Sequence, residues 1–367
     1  MVKSFVQADG KECHAVGIRA NQSMPVVHRH ILLIDTSASQ TGVVRESYLR
    51  LTESLVKALP VDDQVLVYAV DTTVDDLTDG FVPVGSAAVR SAQQKLSSRT
   101  PLGTTNLRAA FASVLSATAG EQPTSVLYIG DGLTTADLLS LDDLRKFAGT
   151  ATAQHVNVHS LVIGPKTETD IPGILAHLTG GTVRRGRPGK EAAVAAELAG
   201  SLCRGSVPAG QIRVSGRFRT EVDSVLLRND RHTLLMGTGR LDSVPTVTAV
   251  LSSGETVNWS DPQRLTGGAE LENLCGRFEI SGGADAPAAG LELLNDAQTR
   301  FARAVRESIA AGRYLHRQGR DREAVALIGQ AARMDRGNTQ LKAILTALQQ
   351  NGDAAAAFGD ENTPAPA

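Results

Sequence analysis

The sequence predicts an α/β fold: a doubly wound, mostly parallel sheet, followed by an all-β sandwich-like domain and a C-terminal α-helical segment. Three observations lead there. Strand-like apolar runs alternate with amphipathic helices from about residue 28 to 204. Short β-rich runs separated by Gly, Pro, Asn and Asp turns fill 205–283. Apolar residues at helical spacing then dominate 288–350.

The chain is organised around Ile31 to Ser39, ILLIDTSAS. Four consecutive apolar residues read as a strand buried on both faces. Asp35, Ser37 and Ser39 follow at once, on the loop leaving the strand's carboxyl end. Open α/β sheets bind their ligands there. A carboxylate and two hydroxyls are hard oxygen donors, the type that Mg²⁺ and Mn²⁺ prefer. Two further segments complete the set. LGTTNLRAAF supplies Thr104 and Thr105 ahead of an amphipathic helix, and SVLYIGDGLTT places Asp131 at the end of a second apolar strand.

Asp-x-Ser-x-Ser, then Gly-x-Thr-Asn-Leu, then a strand ending in Asp-Gly is similar to the von Willebrand factor type A (vWA) domain, a Rossmann-like fold. Its metal-ion-dependent adhesion site has this pattern. Matched residue by residue, the resemblance implies a complete site of Asp35, Ser37 and Ser39 on the first loop, Thr105 on the second and Asp131 on the third. Thr104 is the alternative on the second loop, because the family usually reads Gly-Gly-Thr and this chain reads Gly-Thr-Thr. The resemblance covers about half the chain. It implies a bound Mg²⁺ or Mn²⁺ that accepts an Asp or Glu carboxylate from a protein partner. In several family members the threonine engages directly only in a high-affinity state.

The remaining elements follow in order. Residues 1–27 hold strand-like pieces but too few residues for a core, so they are expected to pack on the β domain. Helices are expected at 43–59, 86–96, 106–117, 138–148, 171–178 and 190–202, with strands at 65–70, 125–129, 156–164 and 181–184 and a short edge strand at 80–84. The β domain takes strands at 212–215, 224–227, 233–237, 246–251 and 276–280, with Trp259 as a core anchor. In the helical segment Gly312, Leu315, Gly319, Ala324, Ile328 and Ala331 fall on the packing positions of a tetratricopeptide-like repeat. A single copy reads as a packing device, since a binding groove needs about three. Residues 351–367 read as a disordered tail.

Composition sets the outer bounds. A chain of 367 residues exceeds one domain, and 42% hydrophobic with 21% charged residues is ordinary for a globular protein. A net charge of −2 argues against a nucleic-acid binder that relies on a basic field. No apolar stretch reaches the ~18 residues of a membrane span, and the N-terminus lacks the apolar core of a signal peptide. The expected location is therefore cytoplasmic for the sequence as written, and exported if its N-terminus is truncated. Cys13, Cys203 and Cys275 show no C-x-x-C spacing and read as isolated thiols, with a Cys13–Cys275 pairing open only if the N-terminal segment packs on the middle domain. His28 and His30 read as polar strand-entry residues rather than ligands, and Arg184, Arg185 and Arg187 as a solvent loop.

No dinucleotide loop, phosphate loop or hydrolase motif accompanies the acids, so the expected function is cation-dependent recognition and not catalysis. The alternatives are an accessory subunit docking on an AAA+ motor, a metal-dependent hydrolase, and a scaffold with a vestigial site.

Overall fold

The computed structural model describes all residues except 8, 121, 134–137, 188, 244, 261, 351–353 and 360–367. Two strands open the chain, β1 (Val2–Val6) and β2 (Glu12–Ile18). The α/β unit follows: β3 (Arg29–Asp35), α1 (Gly42–Ala58), β4 (Gln64–Val70), β5 (Val74–Asp76), β6 (Val82–Pro83), α2 (Ala87–Ser98), α3 (Leu107–Ala117), β7 (Thr124–Gly130), α4 (Leu141–Ala153), β8 (Val156–Val162), α5 (Asp170–Thr179), β9 (Val183–Arg185) and α6 (Glu191–Leu202). Its sheet runs β5-β4-β3-β7-β8-β9, with β6 also on β4. Strands β4, β3, β7, β8 and β9 are parallel, and β5 and β6 are antiparallel additions at one edge.

Alternate residues of the central strands face opposite layers. Leu32, Ile34, Leu127 and Ile129 pack with Leu51, Leu55, Leu198 and Leu202 of α1 and α6. Ile31, Leu33, Val126 and Tyr128 pack with Leu107, Phe111, Leu144 and Phe147 of α3 and α4. Burial on both faces is why these strands carry continuous apolar runs. The helix expected at 138–148 begins later, at Leu141, because Ser140 caps it: its hydroxyl accepts from the Asp143 amide and the Asp143 carboxylate accepts from the Ser140 amide.

The middle of the chain supplies β10 (Val207–Val214), β11 (Val225–Leu227), β12 (Thr233–Thr238), β13 (Val247–Leu251), β14 (Thr256–Trp259) and β15 (Arg264–Thr266). One four-stranded sheet is β12-β2-β1-β15 and the other β11-β10-β13-β14. Their facing residues, among them Val16, Ile18, Leu235, Ala209, Leu227 and Ala249, make one buried cluster. Residues 1–27 thus furnish the two central strands of the first sheet. Trp259 is half-buried at the rim of this cluster rather than at its centre, and its indole N–H donates to the Arg19 carbonyl at 2.7 Å.

The strand expected at 276–280 is instead the end of a helix, α7 (Glu270–Ile280). Leu271, Leu274, Cys275 and Phe278 lie at helical spacing and bury against Cys13, Ala15, Leu234 and Met236 on the outer face of the first sheet. Cys13 and Cys275 are free thiols within this cluster.

After a 3₁₀ turn at Ala286–Ala289 come α8 (Leu291–Arg317), α9 (Asp321–Met334), α10 (Thr339–Gln349) and α11 (Ala354–Phe358). The start of α8 lies on the α/β unit, where Glu292 pairs with Arg184 at 3.0 Å and Asp296 with Arg185 at 2.7 Å. Those two arginines are therefore engaged, not free in a solvent loop, because α8 brings its acids to them from over 100 residues away. The far half of α8 packs with α9 and α10 through Val305, Ala324, Ile328, Leu341 and Ile344. Residues 354–358 of the expected tail form α11, with Phe358 buried in the same cluster. Residues 351–353 and 360–367 of that tail lie outside the described residues.

A buried arginine bolts the α/β unit to the sandwich. Arg228 has no exposed surface and donates to the carbonyls of Ser201, Arg204, Gly180 and Gly205 at 2.8–3.3 Å. These are carbonyls at the ends of α5 and α6, where a cation is favoured. Asp230 pairs with the same guanidinium at 2.7 and 2.8 Å.

Candidate metal centre

The parallel register aligns the ends of neighbouring strands: Ile34 lies beside Ile129 and Asp35 beside Val70. The loops carrying Asp35 and Asp131 consequently leave the sheet side by side. The loop that precedes α3 is tied to the ends of β3 and β4. Its Leu102 amide donates to the Thr36 carbonyl at 3.1 Å, the Ala38 amide to the Gly103 carbonyl at 3.0 Å, and the Asn106 amide to the Asp71 carbonyl at 2.8 Å. Gly103 makes the turn at φ +71°, and a β-carbon there would lie 2.7 Å from Thr72 Cγ2. Asn106 then caps α3 by accepting from the Ala109 amide at 3.0 Å.

Together these constraints put Thr105 on Asp35. The Thr105 hydroxyl lies 3.0 Å from each oxygen of the carboxylate. The Ser37 amide donates to Asp35 Oδ1 at 2.9 Å, and the hydroxyls of Ser37 and Ser39 are 3.0 Å apart. Asp35, Ser37, Thr105 and Asp131 are buried, whereas Ser39 is exposed at the rim and Thr104 is half-buried. The Asp131 carboxylate accepts from the Leu133 amide at 2.9 Å.

Electrostatics separates these acids from their neighbour Asp71. Burial acts on Asp71 too, but the Arg99 guanidinium at 2.7 Å outweighs it and holds that carboxyl below its ordinary value. Asp35 shifts the other way: burial pushes it up, and the Asp131 charge adds to the push against the Ser37 and Thr105 hydrogen bonds. Among the described residues neither Asp35 nor Asp131 has an ion-pair partner. Burying two mutually repelling carboxylates costs several kcal/mol unless a cation or proton offsets it.

Residues 29–184 match the family model of the von Willebrand factor type A domain. Over that stretch the fold is vWA-like. Among solved structures it is similar to a von Willebrand factor type A protein from Catenulispora acidiphila, with 13% identity and a TM-score of 0.52 over 95% of this chain and 86% of that one. That likeness is one of fold. It is also similar to VWA2, an ArnB paralog from Sulfolobus acidocaldarius, with 14% identity and a TM-score of 0.43 over 98% of this chain and 94% of that one. No curated protein matches the chain. No described helix is long and apolar enough to cross a membrane.

The donor set of this vWA domain suits a hard divalent ion. Carboxylates and hydroxyls are all oxygen donors, and two buried acids without a described cation match a 2+ charge. Beside Ser39, the buried Gln40 Oε1 is a further oxygen without a partner among the described residues. Asp35, Ser37, Ser39, Thr105 and Asp131 would hold the ion, which would supply an electrophilic centre for an anionic ligand.

Two supporting residues escape motif reading. The Tyr128 hydroxyl donates to Asp35 Oδ2 at 3.1 Å and accepts from the Gly132 amide at 3.3 Å. Gly130 makes room for it, since a β-carbon there would sit on that hydroxyl and 2.7 Å from Asp35 Cβ. The available signal was a polar-tipped aromatic inside the otherwise aliphatic run SVLYIG.

Proposed function

We propose that the vWA domain is a divalent-cation-dependent protein-binding module. Asp35, Ser37, Ser39, Thr105 and Asp131 hold Mg²⁺ or Mn²⁺, and an Asp or Glu carboxylate of a partner completes the coordination. Domains of this family are generally metal-dependent protein-interaction modules. The observation that carries the reading is the pair of buried acids, Asp35 and Asp131, with the Thr105 hydroxyl on the first and no described cation on either. Ser39 at the exposed rim gives a partner's side chain its approach. In this reading the ion recognises and does not turn over a substrate.

Calorimetric titration of the full chain with Mg²⁺ and with Mn²⁺, beside the Asp35→Ala variant, tests the site. One equivalent bound by the wild type and none by the variant is the expected result. Wild type that binds neither ion, or a variant that binds as well, would overturn it. Millimolar acetate should then reduce the water-proton relaxation of the Mn²⁺ form by displacing a bound water. An unchanged relaxation would sink the carboxylate step alone.

A further inference from the structure

A second constellation lies at the other end of the vWA sheet. His30, the second residue of β3, lies five residues before Asp35, which at about 3.3 Å per residue places it about 17 Å from the first site. Its Nε2 is 2.9 Å from Asp63 Oδ2, and His28 Nδ1 is 2.7 Å from Asp63 Oδ1. Cys203 Sγ, at the end of α6, is 3.9 Å from the same Asp63 Oδ2. The ligand atoms of His30, Asp63 and Cys203 all lie within 4.8 Å of one another.

The backbone holds these positions. The Gln64 amide donates to the His28 carbonyl at 2.8 Å, and the Val27 amide to the Cys203 carbonyl at 3.1 Å. His30 and Asp63 are buried and Cys203 is half-buried, while the His28 side chain is 71% exposed and opens the cluster to solvent. Among the described residues His30 Nδ1 is buried without a partner, and Asp63 is the hydrogen-bond partner of that ring.

We propose that His30, Asp63 and Cys203 form a second metal centre for a borderline-soft ion of the Zn²⁺ type, with His28 orienting the Asp63 carboxylate from outside it and a water as fourth ligand. Imidazole nitrogen, carboxylate oxygen and thiolate sulfur are the donors such ions take, in contrast to the all-oxygen set around Asp35. One thiolate and one carboxylate balance the 2+ charge, so the filled site is neutral where burial demands it. Zinc–ligand bonds of ~2.0–2.3 Å give tetrahedral edges of roughly 3.3–3.8 Å. The His30–Asp63 separation of 2.9 Å therefore opens by about half an ångström as the ion replaces the shared proton. The His30 imidazole binds in its neutral form with its proton on Nδ1, and the thiol proton leaves to solvent.

Without an ion, burial and the nearby Asp63 charge push the Cys203 thiol up to about 11. Zinc would tie the entry of β3, the entry of β4 and the end of α6 together.

The probe is Co²⁺, titrated into the full chain with its absorbance recorded. The expected result is one equivalent bound with a thiolate-to-cobalt charge-transfer band, displaced by Zn²⁺ and retained in excess Mg²⁺. Cys203→Ser should abolish the band, and His28→Gln, at an exposed position that leaves the fold intact, should weaken binding at least tenfold. A wild type without the band, or a band that survives Cys203→Ser, overturns the proposal. So does a His28→Gln variant that binds Co²⁺ as tightly as the wild type.

Discussion

The Tyr128 hydroxyl donates to the Asp35 carboxylate across two adjacent parallel strands, at 3.1 Å. It is a fully buried hydrogen bond between the two strands whose ends carry the acids of the vWA site. It orients Asp35 Oδ2 while the Ser37 amide holds Oδ1 and the Thr105 hydroxyl lies 3.0 Å from both oxygens. A ligand held by such partners keeps its geometry before the ion arrives.

Tyr128→Phe should therefore lower Mg²⁺ affinity by about tenfold. It should also cost the ion-free protein about 1.5–3 kcal/mol, the range for a buried hydrogen bond to a charged group. Calorimetry and urea unfolding measure the two effects. Unchanged values in both would show that the hydroxyl is idle.

Arg228→Met should destabilise the chain by about 3–5 kcal/mol, because it strands the Asp230 carboxylate and the helix-end carbonyls in the joint. The charge linkage has a definite sign. Burial pushes Asp230 up, but its pairing with Arg228 prevails and holds the carboxyl well below its ordinary range. That stability is present above about pH 4 and lost as pH falls further. The gap between wild type and variant in urea midpoint should accordingly be widest near pH 7 and narrow toward pH 3. A constant gap would refute the linkage.

His177 adds a second titration of the same sign, from a buried neutral ring rather than a paired charge. Burial, and then the Arg231 charge, lower its imidazole from 6.5 to about 4 against a hydrogen bond to the Gly283 carbonyl at 2.9 Å. The folded state keeps the ring neutral while the unfolded chain protonates it below pH 6.5. Its stability contribution is full above that pH and declines as pH falls toward 4, by up to about 1.4 kcal/mol per pH unit. His177→Gln retains a donor and should remove about one proton from the pH dependence of unfolding between pH 6.5 and 4. An identical slope would exclude this role.

Phe358 closes the helical end. It is 1% exposed, and Arg313 donates to its carbonyl at 2.6 Å. Phe358→Ala should cost about 3–5 kcal/mol locally. Hydrogen exchange should speed up in α9 and α10 and stay unchanged in β3 and β7. Uniform acceleration would mean that the helical segment and the sheet unfold as one unit.

The sequence by itself determined the fold class. A strand buried on both faces must read as a continuous apolar run, and a loop that gathers oxygen donors must begin where the run stops, so Ile31–Ser39 announces both. Helical and strand periods are local properties, legible wherever a competing signal is absent. At 276–280 a short run beginning at glycine reads locally as a strand, and only the 3.6-residue spacing of Leu271, Leu274, Cys275 and Phe278 marks the segment as helix. Tertiary structure decided the rest. It carried β1 and β2 into a sheet with β12 and β15, brought Arg228 to the ends of two helices, and aimed Tyr128 at Asp35. It also gathered His30, Asp63 and Cys203 from positions 33 and 140 residues apart. None of these pairs shares a sequence window, because what fixes them is the burial of distant surfaces against one another and the need of each buried polar group for a partner.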